Sequence, residues 1–227
     1  MKIGQSAGKN FAYVLGVYLG DGCVTGSPQT FRVNTIDADF AAAIKASLGV
    51  ISERNVSISV HGVKKSSKPN HSLYCGDVEL CAKLVADTGN KQVIPSYVET
   101  MPRECQHAFI VGLMDSEGFV AKKSVNVTGR AYYMGYKSCD VWVPSFVRLL
   151  EKNGLRLGKV SECPPYKVGY KTPTRFHIKM QSWVDSGMRF NIARKQDRVD
   201  SWQRTEPYSE RSRYPRRLTS ETTRSTP

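Results

Sequence analysis

Histidine is scarce, with four in 227 residues, and no two stand in an H-E-x-x-H arrangement. A histidine-based metal site is therefore not expected. The six cysteines, Cys23, Cys75, Cys81, Cys105, Cys139 and Cys163, include no C-x-x-C pair. That removes a zinc ribbon and points to reduced thiols in a reducing compartment. No apolar run exceeds about ten residues, half of the roughly 20 that a bilayer span requires. The first residues lack a long apolar stretch followed by a small-residue cleavage site. The expectation is an intracellular chain, cytoplasmic or organellar, neither secreted nor membrane-bound. Acids are also in short supply: 20 Asp and Glu stand against 33 Lys and Arg, a formal charge of +13. Such a balance favours an anionic partner, nucleic acid before an acidic membrane.

What is present begins with "FAYVLGVYLGDGCV" at 11–24, a buried-helix pattern that stops at Asp21-Gly22 and carries Gly16 and Gly20 four apart. Residues 107–120, "HAFIVGLMDSEGFV", repeat it with Gly112 for Gly16, Ser116 for Gly20, Glu117 for Asp21 and Gly118 for Gly22. One copy alone reads as a core helix closed by a turn. Two copies offset by 96 residues make an internal repeat, which dictates the whole fold.

The flanks repeat in the same order. In the first half "FRVNTI" (31–36) reads as a strand and "DADFAAAIKASLGV" as a helix with an acidic start. "VSISVHGV" (56–63) and "HSLYC" form a strand pair, and "DVELCAKLVADTG" is a helix stopped at Gly89. In the second half "SVNVTGRAYYMGY" supplies strands, "PSFVRLLEKNGL" (144–155) a helix, "KVSECPPYKVGYK" and "TRFHIKM" a strand pair, and "SWVDSGMRFNIA" a late helix. The sequence thus predicts an α+β fold of two pseudo-symmetric αββαββα halves, residues 1–100 and 101–200. "YVETMPRECQ" (97–106) joins them. Residues 201–227 are rich in Arg, Ser, Thr and Pro and read as a loosely attached or disordered basic tail.

Small residues four apart let helix backbones approach closely. Gly16 and Gly20 therefore find their partners in Gly112 and Ser116, and the two helices form the seam between halves. Asp21 and Glu117 then converge. Gly22 and Gly118 suit a left-handed conformation just past each helix end. Two carboxylates at two partly negative helix termini repel one another, and a divalent cation resolves the conflict. All-oxygen ligation favours Mg²⁺, which keeps waters and shares phosphate oxygens. An acid-bound Mg²⁺ beside a basic surface describes phosphodiester hydrolysis.

"VLGVYLGDG" (14–22) and "IVGLMDSEG" (110–118) resemble the two motifs of LAGLIDADG homing endonucleases in their single-chain, pseudo-symmetric form, and the resemblance covers roughly residues 10–200. It implies antiparallel sheets forming a saddle over double-stranded DNA, and a monomer. It also implies a catalytic divalent ion held by Asp21 and Glu117 with the adjoining Gly20 and Ser116, and cleavage of both strands of a long, nearly asymmetric site. Mn²⁺ would substitute for Mg²⁺, and Ca²⁺ would support binding without efficient cleavage. "GNKQVI" (89–94) and "ARKQDRV" (193–199) place Lys91 and Lys195 where the family has a lysine near each active site, to stabilise phosphoryl charge or perturb the attacking water. The family often places a polar residue at a strand end to order water; the candidates are Thr35 in the first half and Tyr136 or Lys137 in the second, and none is assigned that role. Two other functions fit the same fold: an RNA-binding maturase acting on an intron RNA, and a DNA-binding regulator that has lost cleavage. Retention of both acids argues against the second.

Strand alternation sorts the DNA-facing residues. With Phe31 and Val33 inward, Arg32 and Asn34 face out. With Val56, Ile58 and Val60 inward, Ser57, Ser59 and His61 face out. With Phe176, Ile178 and Met180 inward, Arg175, His177 and Lys179 face out. Arg suits guanine and Asn adenine in the major groove, whereas Lys64, Lys65 and Lys68 suit phosphate. Lys122, Lys123, Arg130 and Lys137, in strand material of the second half, are assigned to the DNA face as well.

Overall fold

The computed structural model describes residues 5–62, 68–125, 129–138, 140–163 and 172–204, without the side chains of residues 5–7, 122–133 and 204. The chain runs α1 (Gln5–Leu19), β1 (Cys23–Thr25), β2 (Thr30–Thr35), α2 (Ala38–Ile51), β3 (Val56–His61), β4 (Asn70–Cys75) and α3 (Val78–Thr88). A 3-10 turn at Ser96–Thr100 leads into α4 (Arg103–Ser116). The order then repeats as β5 (Gly118–Val125), β6 (Gly129–Ser138), α5 (Val143–Lys152), β7 (Ser161–Glu162), β8 (Thr174–Ile178) and α6 (Met180–Asp185), with α7 (Ala193–Arg204) following. Two four-stranded antiparallel sheets result, ordered β1-β2-β4-β3 and β5-β6-β8-β7. This is the expected α+β architecture. Among the described residues no helix is long and apolar enough to cross a membrane, and Cys23, Cys75, Cys81, Cys105 and Cys163 are free thiols.

Each sheet buries one face. Phe31 and Val33 of β2 lie opposite Cys75 and Leu73 of β4, and all four are at most 1% exposed. Helix α2 covers them with Phe40, Ile44, Leu48 and Ile51, a spacing of four, four and three that puts one stripe inward. The second sheet matches this with Val120, Met134, Tyr136, Phe176 and Ile178 under Phe146, Leu149 and Leu150 of α5. Tyr136 stacks on Phe176 with ring centroids 5.6 Å apart and meets Phe146 at 5.1 Å. Fully burying each such side chain is worth about 1.5–3 kcal/mol. Asp77 caps α3 by accepting from Leu80 N at 3.0 Å, and Gly89 closes it at φ 53°.

The structure corrects several local expectations. Neither Gly22 nor Gly118 is among the residues with positive φ. A short turn of three residues joins α1 to β1 and a single residue joins α4 to β5, and glycine is required there by crowding. A Cβ at Gly22 would stand 2.7 Å from Tyr18 Cα, and one at Gly118 2.5 Å from Met114 O. Val60 does not face the core but is 59% exposed: the helix layer covers Val56 and Ile58 and stops short of the tip of this edge strand. The late helix of the second half is split, because α6 ends at Ser186-Gly187 (φ 74°) and α7 starts afresh at Ala193. Helix α7 also passes Ser201 and reaches Arg204, and residues 205–227 lie outside the described residues.

The seam is a helix pair. A Cβ built on Gly16 would lie 2.3 Å from Phe109 O, and one on Gly112 would lie 2.3 Å from Tyr13 O. Offset by 96, Tyr13 is the counterpart of Phe109, so the two contacts are the same contact related by the pseudo-twofold. Gly16→Ala drives a methyl into a main-chain oxygen that cannot swing aside, and we expect it to destabilise the fold by about 1–3 kcal/mol or more. Gly49→Ala, inside α2 with nothing within 4 Å of the added Cβ, is expected to stabilise by about 0.5–1 kcal/mol through helix propensity. Chemical denaturation of the pair checks both signs, and equal stability of the two variants would contradict seam packing through Gly16.

Candidate active site at the helix seam

Because α1 and α4 cross through their glycines, their C-termini finish together. A Cβ on Gly20 would meet Ser116 Cβ at 2.5 Å and Glu117 Cγ at 3.4 Å, so the backbone just before Asp21 lies beside Ser116 and Glu117. Asp21 is open to solvent and Glu117 half-buried. The surrounding protein raises the pKa of both carboxyls. For Asp21 the positive charges of Lys195 and Lys91 oppose that rise. For Glu117 the negative charges of Asp21 and Asp140 add to it and the two lysines offset it. The repulsion expected from the sequence is thus present.

Both lysines arrive at this point by different routes. After α3 the chain passes through Gly89, Asn90 and Lys91, all with positive φ, an uncommon run for non-glycine residues. It swings Lys91 back so that its Nζ donates to Gly20 O at 2.5 Å and Gly22 O at 3.1 Å. Lys195 sits in the first turn of α7, 2% exposed, and its Nζ donates to Met114 O at 2.8 Å and Asp115 O at 2.6 Å. Each ammonium therefore satisfies orphan carbonyls at one motif-helix terminus and opposes its dipole. Burial pushes the Lys195 ammonium down to about 8. The carbonyl of Gly20, expected beside the metal, already accepts from Lys91, and the Ser116 hydroxyl donates to Gly112 O at 3.0 Å.

Four charged residues around these groups were not read from the sequence. Asp37, just before α2, pairs with Arg194 of the other half through two bonds of 2.7 Å each. Asp39 accepts from the backbone N–H of Ala193. A cavity of about 320 Å³ opens here, lined by Asp21, Asn34, Thr35, Asp37, Asn70, Ser116 and Arg194 among others. Asp115, 1% exposed, accepts from Tyr13 Oη at 3.0 Å and Asn191 Nδ2 at 3.0 Å, while its Oδ1 is buried without a hydrogen-bond partner. Arg194 adjoins Lys195, and Asp115 lies two residues before Glu117. Adjacency to a motif was the only available signal, because the partners stand more than 70 residues away.

The proposed DNA face is placed as follows. Arg32, Asn34, Ser57, His61, Lys137, His177 and Lys179 are exposed, and Ser59 and Arg175 are half-buried. Asn34 accepts from Ser72 Oγ at 2.7 Å and lines the site cavity. Tyr136, one of the water-ordering alternatives, is buried in the second core with its ring among Phe146, Trp142 and Phe176. Lys64 and Lys65 lie outside the described residues, as do the side chains of Lys122, Lys123 and Arg130.

No family model and no curated protein matches the sequence. Solved structures do resemble it. The homing endonuclease I-WcaI, bound to its DNA recognition sequence, matches with a TM-score of 0.54 and 10% identity over 88% of each chain. Full-length DUF199/WhiA from Thermatoga maritima matches with a TM-score of 0.53 and 10% identity, over 93% of this chain and 66% of its own. I-DmoI, in complex with DNA and Mn, is 16% identical over 79% of this chain and 94% of its own, with a TM-score of 0.49. At these identities the likeness is one of fold, and the fold is LAGLIDADG.

Burial places the Asp115 carboxyl near pKa 6, above its ordinary 3.8. The folded state therefore binds this proton more tightly than the unfolded chain between those values. The resulting stabilisation is complete below the window and is lost as pH rises through it. Asp115→Asn keeps an acceptor for Tyr13 but cannot ionise. We expect it to flatten the fall in melting temperature between about pH 4 and 6, read by thermal denaturation across that range. An unchanged slope would assign the fall to other groups.

Proposed function

We propose that this chain, which has the LAGLIDADG fold, is a site-specific DNA endonuclease that hydrolyses phosphodiester bonds at a divalent-metal site formed by Asp21 and Glu117. The observation that carries the reading is the meeting of two acids at the ends of helices packed glycine to backbone, with two lysine ammonium groups bound to those same helix ends. The residues fit a hard cation. Two carboxylates crowd together with raised pKa values, and among the described residues no third His, Cys, Asp or Glu completes a closed cage. The remaining coordination falls to phosphate oxygens and water, the usual condition of Mg²⁺. A bound ion would supply charge stabilisation to the reacting phosphate and a more acidic water.

The chain's own residues do the rest. Asp21 and Glu117 would hold the ion at the pseudo-twofold, so that the halves 1–100 and 101–200 each address one strand. Lys91 and Lys195 hold the helix termini that carry the acids, and their positive charge favours the ionised carboxylates. The charge of +13 draws the duplex onto the outward sheet faces, where Arg32, Asn34, Arg175 and Lys179 meet it. A molecule of this build acts as a monomer, since both sides of the seam are in one chain. A binding-only regulator or a maturase has no need for two acids held together at this cost in repulsion, which favours cleavage over either.

Asp21→Asn or Glu117→Gln is expected to lower cleavage by orders of magnitude while specific binding persists, as gel-shift and cleavage assays on a selected target would show. Cleavage should also fall with decreasing pH, starting above the ordinary carboxylate range, because both acids must ionise to bind metal and both pKa values are raised. Normal cutting by the double variant removes these acids from the mechanism.

The lysines are separable. Lys91→Met releases the carbonyls of Gly20 and Gly22, and Lys195→Met those of Met114 and Asp115, so each disturbs one helix end. With the two strands separately end-labelled, the variants are expected to slow opposite strands and to accumulate nicked duplex. Equal slowing of both strands by each would mean that the two cuts are coupled.

A further inference from the structure

Two arginines on the outward sheet faces are held in an unusual way. Arg32 of β2 lies opposite Tyr74 of β4 in register, and its guanidinium stands 5.2 Å from the centroid of the Tyr74 ring. Arg175 of β8 stands 5.7 Å from the centroid of the Phe119 ring, although Phe119 belongs to β5 and β6 runs between them. Gly135 makes that reach possible. It lies in register between Phe119 and His177, and a Cβ there would stand 2.7 Å from Phe119 Cζ and 2.9 Å from His177 Cδ2. Without that side chain Phe119 leans across β6 to meet the His177 ring edge-on at 6.2 Å. Val120 is in the core at 1% exposure, so the pleat turns its neighbour Phe119 to the opposite face.

The manner of holding matters because a guanidinium gripped by a carboxylate has committed one edge of its donor fork. Arg194, with both bonds to Asp37, is the local example. Among the described residues neither Arg32 nor Arg175 is in an ion pair. An aromatic face holds a guanidinium through the ring quadrupole and leaves the in-plane N–H groups available. In Arg175 the Nε is sealed from solvent without a partner, and the terminal amino groups remain. That pair is the fork which reads O6 and N7 of guanine.

The two halves reach this device with different residues. The row Cys23–Arg32–Tyr74 of the first sheet corresponds to Phe119–Gly135–His177 of the second. The arginine moves from the second strand of its sheet to the third and the ring from the third to the first, yet each half keeps one of each in contact. We propose that Tyr74 and Phe119 are specificity-determining positioning residues, which hold the guanidinium groups of Arg32 and Arg175 by their ring faces so that each arginine reads one guanine in its half of the target. The inference rests on the DNA-cleaving function proposed above.

The full-length chain, with Ca²⁺ in place of Mg²⁺, selects duplexes from a randomised pool. Each guanine of the selected duplex is then replaced in turn by 7-deazaguanine, which lacks the N7 acceptor. The wild type is expected to lose affinity by about tenfold at one guanine in each half-site. Tyr74→Leu abolishes that sensitivity in one half-site and leaves the other intact, and Phe119→Leu does the converse. Tyr74→Phe and Phe119→Tyr, which keep a ring, retain both. Tyr74→Thr and Phe119→Thr, with strand-forming side chains, replace any leucine variant that fails to fold by circular dichroism. The proposal is overturned if no guanine is sensitive, if the ringless variants keep full sensitivity or weaken all duplexes alike, or if the ring-keeping variants behave like the ringless ones. Failure to select any duplex overturns both this inference and the endonuclease function, whereas a selected and cut duplex with no such guanine overturns this inference alone.

Discussion

The main-chain contact of α1 with α4 through Gly16 and Gly112 is the constraint on which the rest depends. Two helices brought this close end at the same place, and three consequences follow from geometry alone. The acids that close each helix share a site. The partial negative charges of two helix termini add to theirs. The strands that follow the helices, β1 and β5, each start within a few residues of that point. An isolated acid at a helix terminus would be a minor electrostatic fault worth a fraction of a kcal/mol. Doubled and crowded, it requires cations, and Lys91 and Lys195 are bound to the orphan carbonyls where they offset it.

A single chain frees the two halves to diverge while the seam stays symmetric. Asp37 and Asp140 both follow a hydroxyl residue at a strand end, with the Asp37 N–H donating to Thr35 Oγ1 at 3.1 Å and the Asp140 N–H to Ser138 Oγ at 3.2 Å. Asp37 has Arg194 across the seam, which holds its carboxyl below the usual range. Under the 104-residue offset between the lysines, Arg194 corresponds to Asn90, so no second arginine serves Asp140, and its charge instead adds to the rise in the Glu117 pKa. The two sides of the site are therefore electrostatically unequal, with the Asp21 side clamped by an inter-half ion pair and the Glu117 side pressed by an additional acid.

How much of this was legible in the sequence follows from the range of each interaction. The motif helices, their glycine faces and the converging acids were readable because the signal is periodic within a helix and repeated at a fixed offset. The order of elements was readable for the same reason. What escaped was either very local or very distant. Whether Gly22 and Gly118 answer to a left-handed φ or to a crowded backbone depends on fractions of an ångström that composition does not encode. Val60 alternates correctly with Val56 and Ile58, but no pattern within the strand tells where the covering helix ends. The Tyr13–Asp115–Asn191 cluster and the Asp37–Arg194 pair join residues that become neighbours only after the halves dock.

The same docking explains why Asp115 is tolerated. A carboxyl at 1% exposure with one oxygen unpartnered is costly, and it is offset by hydrogen bonds from Asn191 and Tyr13 and by the positive charge of Lys195, itself buried with its pKa lowered to about 8. Each of the two groups would be worse placed without the other, since removing one leaves a lone buried charge. Their coupling fastens α7 to α4, while the adjoining Arg194 fastens α7 to the start of α2 in the opposite half. One helix turn, Ala193–Gln196, thus binds the motif helix of its own half and the strand-end acids of the other, so the position of Glu117 relative to Asp21 is set by packing at the seam and by this second strap. The helices fix where the acids converge, and the buried ammonium of Lys195 together with the Arg194–Asp37 pair ties α7 to both sides of that point.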